Sequence, residues 1–255
     1  MPEKPEQQLR VSARYALDRM DWHGKVPVPQ REQLPALSVG LQRFKLFDEP
    51  IDGTTHKVVG QEIVQNQIYR ALRTFARQGY NNKLLLLHGP NGSAKSSIIH
   101  SLMAGMERYS QDPEGALYAI NWIFQLDRAS KGGIGIQSSY DSGRAETTSY
   151  AKLADDNIAA RIPCDLKDHP FLMVPAANRR EFLQKLLGEK RAADLWEQLP
   201  HSLKQGDLCN RCRQMADALL ISVGGDYKRV LMHIQVERFY FSRKHRRGLV
   251  TIEPQ

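Results

Sequence analysis

Apolar residues recur at helical spacing after Gln61, through Val64, Ile68, Leu72 and Phe75, until the pattern stops at Gly79. This predicts an amphipathic helix ending at Gln78. The next run, "KLLLLH" (83–88), is short, apolar on both faces and followed by turn residues, as a buried strand of a parallel sheet would be. Helical spacing resumes over 95–109 with Ile98, Ile99, Leu102, Met103 and Met106, and "LYAINWIF" (117–124) predicts a second strand. Residues 128–149 are rich in Gly and Ser and nearly empty of large apolar residues, which predicts an exposed loop able to act as a lid. Residues 178–199 predict a helix, or a pair broken near Gly188, with Asn178 as cap and Phe182, Leu183, Leu186 and Leu187 facing inward. Two more helices are expected over 210–222 and 226–241, separated by Gly224-Gly225, with Asp226 capping the second. Residues 1–55 carry scattered prolines and read as an extended arm with one short helix at "VSARYALDRM".

These elements predict an α/β fold: a P-loop core sheet with flanking helices over 56–127, a flexible insertion over 128–176 and a helical, basic segment over 177–255. With 41% hydrophobic and 25% charged residues the composition is that of a globular protein, and no apolar stretch approaches the ~18 residues of a membrane span. The polar start "MPEKPEQQLR" lacks the apolar core of a secretory signal, and three cysteines are too few for a disulfide scaffold, so a cytoplasmic location is expected. A net charge of +8 favours acidic partners such as nucleotides or anionic protein surfaces.

Between the apolar run and the helix stands "GPNGSAKSS", in which Gly89, Lys95 and Ser96 match the spacing of a phosphate loop. Gly92 lies where such a loop turns tightly. In the segment Gly89, Pro90, Asn91, Gly92, Ser93, Ala94, Lys95, Ser96 and Ser97, backbone N–H groups from about Gly92 to Ser97 would point at phosphate oxygens. Lys95 would neutralise the outer phosphates and the Ser96 hydroxyl would hold Mg²⁺. Ala94 stands where the motif has glycine; helical dihedrals would make it harmless, whereas a positive φ would cost on the order of 1 kcal/mol.

The phosphate loop preceded by "VVGQE" (58–62) resembles an AAA+ ATPase opening. Together with "ARIPCDLKDHPFLMVP" (160–175), "CNRCRQ" (209–214) and "HIQVERFYFSRKHRRGLVTIEPQ" (233–255), the chain from about residue 40 onward resembles the AAA domain of PrkA-type serine protein kinases. The resemblance implies ATP-Mg²⁺ binding at Gly89–Ser97, with Val59 and Gly60 near the base, and a protein substrate or acidic partner, with homo-oligomers as a further expectation. The acidic strand that orders Mg²⁺ and polarises water is not evident, since "AINWIFQLD" ends in Asp127 without an acidic neighbour. No sensor or arginine-finger segment is evident, and the kinase-like region of the family is missing. The chain therefore reads as an N-terminal portion, from which hydrolysis or phosphotransfer is not expected alone. A non-catalytic regulatory or assembly module, and a nucleic-acid-binding P-loop ATPase, are the alternatives.

Cys209 and Cys212 form a C-x-x-C pair, and Cys164 and His169 lie upstream in "CDLKDH": three thiolates and an imidazole that could close a tetrahedral Zn²⁺ site. The competing reading makes the cysteines ordinary helix-start residues and His169 a capping group beside Pro170. "VERFYFSRKHRRG" places its aromatics before its charges, so a core-packed helix whose basic last turn complements the dipole explains it, and nucleic acid is not the expected partner.

Overall fold

The computed structural model describes residues 5–29, 40–50, 57–79, 84–126, 149–250 and 252. Asp127 and the Gly/Ser-rich stretch up to residue 148 lie outside the described residues. The chain divides into two compact units, one formed by 1–117, 186–204 and 240–255, the other by 118–185 and 205–239.

The first unit begins with a single helical turn, Pro5–Gln8, and helix α1, Ser12–Trp22. Ala13, Ala16, Leu17 and Met20 share its buried face. Strands β1 (Lys25–Pro27) and β2 (Gln42–Phe44) pair antiparallel with Val26 opposite Arg43. Helix α2, Glu62–Gln78, ends at Gly79, whose φ of 76° lets its N–H reach the Phe75 carbonyl at 2.8 Å. A side chain on Gly79 would also strike Pro200, 2.5 Å from where its Cβ would sit, so glycine is required twice over. Helix α3 runs Lys95–Gln111. Met20, Phe44, Leu46, Phe47, Val58, Ile68 and Ile98 close the core between these helices, with Leu87 and Ala94 packed at its edge.

Charge is buried beside that core. Arg19, 1% exposed, donates from Nε to the Gly105 carbonyl (2.7 Å) and lies 3.9 Å from Glu49. Burial lowers its pKa to about 10, against the attraction of Glu49. His23 and Arg108 also pair with Glu49. Arg243 is likewise spent on a carboxylate, Nε to Glu107 Oε2 at 2.7 Å.

Helices α4 (Arg179–Leu187) and α5 (Glu189–Gln198) break at Gly188 as the sequence predicts, and α6 (His201–Gln205) follows. Leu183 is fully buried, whereas Phe182 and Leu186 are more than 40% exposed.

In the second unit, β3 (Leu117–Gln125) is the central strand, flanked by β4 (Ile158–Pro163) and β5 (Ile234–Phe239). The β3–β4 pairing is antiparallel, with Trp122 opposite Ile162 and a register shift at Phe124/Gln125. Helices α7 (Asn210–Ser222) and α8 (Tyr227–Met232) flank the Gly-Gly pair, and the Asp226 side chain caps α8 by accepting Lys228 N–H at 3.0 Å. The core comprises Ile120, Trp122, Cys164, Met173, Cys212, Ala216, Leu219, Val223 and Val230.

Four expectations are corrected. Residues 84–88 form no strand, and Leu84 and Leu86 are 87% and 80% exposed; the described sheets are small and antiparallel, so the run has no described ladder to join. The segment from 226 is not one helix: α8 stops at Met232 and β5 begins, because "IQVERF" carries a strand-compatible alternation that pairing beside β3 exploits. Residues 242–247 form a tight turn closed by a Ser242–Arg247 bridge, not a basic helix end. Part of the expected insertion is ordered as well, with β4 at the sheet's edge. The fold is thus mixed α/β, and no helix among the described residues is long and apolar enough to cross a membrane.

Two imidazoles, one buried and one half-buried, make stability pH-dependent. His233 donates from Nδ1 to the Ile123 carbonyl (2.9 Å), and burial lowers its pKa. Burial and then Arg19 lower that of His23. A folded-state pKa below the unfolded value of about 6.5 means the unfolded chain takes up protons first, so stability is full above pH 6.5 and declines below it. Urea midpoints should fall from pH 7 to 5, and His233→Gln should flatten part of that slope; a wild-type midpoint constant across the range would refute the assignment.

Candidate functional sites

The phosphate-loop residues sit between the exposed 84–88 run and the start of α3. Asn91–Ala94 form consecutive turn and bend positions, and Gly92 has φ 80°, a conformation its missing Cβ permits. Lys95 is the first residue of α3, and its ammonium folds back on the loop, donating to the carbonyls of Gly89 and Pro90 (2.7 Å each) and to Ser93 Oγ (3.1 Å). Ser93 in turn donates from Oγ to the Pro90 carbonyl at 2.8 Å. These bonds curl six residues around one positive charge.

Ala94 adopts φ 59°, ψ 18°, the left-handed region. The more costly of the two sequence-based cases therefore applies. Its methyl cannot cap the helix, and the first-turn N–H groups of Lys95, Ser96 and Ser97 have no carbonyl one turn earlier within α3 to bond. Serine, threonine or asparagine is the usual answer at such a cap. Here the amides are left for another acceptor. Ser96 is exposed at this end of α3. Val58 donates its N–H to the Phe47 carbonyl (3.0 Å) and packs in the same core cluster as Ala94 and Ile98, which brings the "VVGQE" segment to the root of the loop. Val59, 70% exposed, and Gly60 follow directly.

Ala94→Gly should stabilise the fold. Relief of the left-handed conformation is worth about 1 kcal/mol, and the half-buried methyl lost offsets about half of it. The net of about 0.5 kcal/mol would raise the melting midpoint by ~1–2 °C. A lowered midpoint in differential scanning calorimetry would show that the methyl's packing dominates.

A wider cleft of about 460 Å³ lies elsewhere in this unit, at His23, Arg43, Lys45, Asp48 and Glu49. Val26 and Pro50 complete its lining, and its carboxylates are already engaged, Asp48 by Arg43 and Glu49 by His23.

The second candidate lies in the other unit. The Sγ atoms of Cys164, Cys209 and Cys212 and a carboxylate oxygen of Asp168 all lie within 4.8 Å of one another. Cys164 follows the end of β4 with its N–H on the Ile120 carbonyl (3.1 Å). Lys167, at φ 57°, reverses the chain so that Asp168 N–H meets Cys164 Sγ at 3.2 Å. Cys209 is the N-cap of α7 and Cys212 lies in its first turn. The Asp168 carboxylate accepts Cys209 N–H (2.8 Å), and Trp122 donates Nε1–H to Cys212 Sγ (3.4 Å). Buried Arg179 holds the neighbouring chain by donating to the carbonyls of Val174 (2.8 Å), Gly206 (2.8 Å) and Leu172 (3.2 Å). Burial raises the pKa of Cys164 and holds that of Cys212 far above its usual value.

His169 does not join the thiols. Its Nδ1 accepts Phe171 N–H (3.0 Å) and caps the 3-10 turn at Pro170–Met173, the competing role the sequence allowed. The donor beside the cysteines is its neighbour Asp168, which spacing alone did not single out.

Searches against family models, curated proteins and solved structures find no match to the chain.

Proposed function

We propose that the chain is an ATP-binding module whose phosphate loop, Gly89–Ser97, receives the triphosphate of Mg-ATP, and that it serves as the nucleotide-responsive part of a PrkA-type serine protein kinase. The observation that carries this reading is the Lys95 ammonium, drawn onto the Gly89 and Pro90 carbonyls at the mouth of a turn whose helix has no side-chain cap. A phosphate is the acceptor such a place favours: the helix dipole and uncapped amides attract the anion, and the ammonium can leave two carbonyls for two charged oxygens at little cost.

Under this reading Lys95 clamps the outer phosphates, the Ser96 hydroxyl supplies one oxygen ligand to Mg²⁺, and the Val59-Gly60 backbone approaches the base. Mg²⁺ would bridge and neutralise the phosphate oxygens. Binding would bias the arrangement of the loop, and the coupling of that bias to a partner is the regulatory output. The module acts on a protein partner, and turnover is not assigned to it.

Isothermal titration of the full chain with Mg-AMP-PNP tests the reading. One site per chain, lost when Mg²⁺ is replaced by EDTA or Ser96 by alanine, is expected. No heat and no thermal stabilisation at millimolar nucleotide would reject it.

A further inference from the structure

We infer that Cys164, Cys209, Cys212 and Asp168 form a structural zinc site that ties the turn after β4 to the start of α7. The four donor atoms come from two chain segments 41 or more residues apart, yet all lie within 4.8 Å of one another. Two thiolates bound ~2.3 Å from a tetrahedral Zn²⁺ must stand about 3.8 Å apart. The Cys164 and Cys209 sulfurs stand 3.9 Å apart, the separation of co-ligands and nearly twice a disulfide bond of about 2.05 Å.

The surroundings match the same chemistry. Three thiolates and a carboxylate around Zn²⁺ leave net negative charge, which N–H groups must spread. Asp168 N–H on Cys164 Sγ and Trp122 Nε1–H on Cys212 Sγ already point at sulfur. The Lys167 ammonium lies 2.9 Å from the Cys164 carbonyl, adding positive charge to the same turn. One carboxylate oxygen of Asp168 accepts Cys209 N–H, which orients the group, and a carboxylate has lone pairs enough to ligate as well. Cys164 and Cys212 are 1% and 0% exposed and Cys209 and Asp168 half-buried, and four protein donors fill a tetrahedral shell, leaving no position for substrate water. A closed four-ligand set of this kind is structural, and its binding energy is folding energy for the unit it ties. Binding releases the thiol protons to solvent as the thiolates form, with no change of oxidation state.

The test uses the full untagged chain purified under reducing conditions without chelator. Elemental analysis should find one zinc per chain, and p-hydroxymercuribenzoate should release it to 4-(2-pyridylazo)resorcinol only as thiols are blocked. Cobalt(II) replacing zinc should give the intense visible bands of a tetrahedral site together with sulfur-to-cobalt charge transfer. Cys209→Ser, chosen because Cys209 is only half-buried, should weaken zinc binding by more than the ~10–100-fold typical of removing an outer partner. Asp168→Asn should lower affinity and shift the cobalt bands, whereas His169→Ala and Lys95→Ala should keep full stoichiometry, the latter separating this site from the nucleotide reading. Metal-free protein whose three thiols titrate freely while folded, or a Cys164–Cys209 disulfide with no metal uptake after reduction, would overturn the inference. Zinc lost in His169→Ala but kept in Asp168→Asn would overturn the ligand set.

Discussion

Trp122→Ala is expected to cost about 3–5 kcal/mol, the range for truncating a large aromatic in a packed core. Trp122 lies mid-way along β3, is wholly buried, and touches a cluster drawn from β3, the turn after β4, α7 and α8. No other described side chain of that size is equally enclosed. Its loss leaves a cavity in a cluster that includes Met173 of the 3-10 turn, Cys212 of α7 and Val230 of α8, side chains held by separate elements that cannot all collapse inward. It also removes the indole N–H from Cys212 Sγ. Urea unfolding of wild type, Trp122→Phe and Trp122→Ala separates the terms: phenylalanine keeps most of the volume and forfeits the hydrogen bond, so it should fall between. A loss below 1 kcal/mol for alanine would mean that this core is not packed around the indole.

Lys95→Ala should abolish stabilisation by nucleotide while leaving the unliganded protein nearly unchanged. At a Mg-ATP concentration 100 times Kd, binding raises wild-type stability by about 2.7 kcal/mol. For a chain of this size that is a rise in melting temperature of ~5–11 °C. The Lys95 ammonium sits on the loop's own carbonyls, so its removal takes the nearest positive charge from the uncapped amides that would hold a highly charged anion. The same substitution deletes three hydrogen bonds from an accessible loop, whose carbonyls and hydroxyl water can then serve, so little of their strength is lost from the unliganded protein. Scanning calorimetry with and without Mg-ATP reads both quantities. A variant that keeps the wild-type shift would reject the phosphate-loop reading, and a large shift in its unliganded melting point would make Lys95 a structural residue.

The helices were legible wherever local chemistry sets their limits. Gly79 ends α2, Gly188 divides α4 from α5, and Asp226 caps α8, each through dihedral freedom or a hydrogen bond made within a few residues. The turn at Gly89–Ser97 was legible too, because its residue types and their spacing act over one loop and the helix it opens. Ala94 marked the one position needing inspection, and its left-handed backbone is the answer that a sequence with two allowed cases could not supply.

Strands were read less well, for a physical reason: half of a strand's bonds belong to a distant segment. "LLLLH" has the composition of a buried strand yet lies largely exposed outside the described ladders, while "IAARIP", expected in an insertion, and "IQVERF", expected in a helix, flank β3. The same non-locality governs the thiol cluster. Its cysteines were visible as candidate donors, but which of the adjacent Asp168 and His169 stands beside them rests on the Lys167 reversal, which turns one side chain toward sulfur and the other onto Phe171 N–H.

By itself, then, the chain's order of residues determined the glycine breaks and the Asp226 cap of its helices, the turn that opens α3 and the spacing of its paired cysteines, all products of chemistry acting within about one helical turn. Tertiary structure alone decided which strands pair, which apolar residues are covered and which oxygen stands beside three sulfurs, because those depend on what folding brings together from far along the chain.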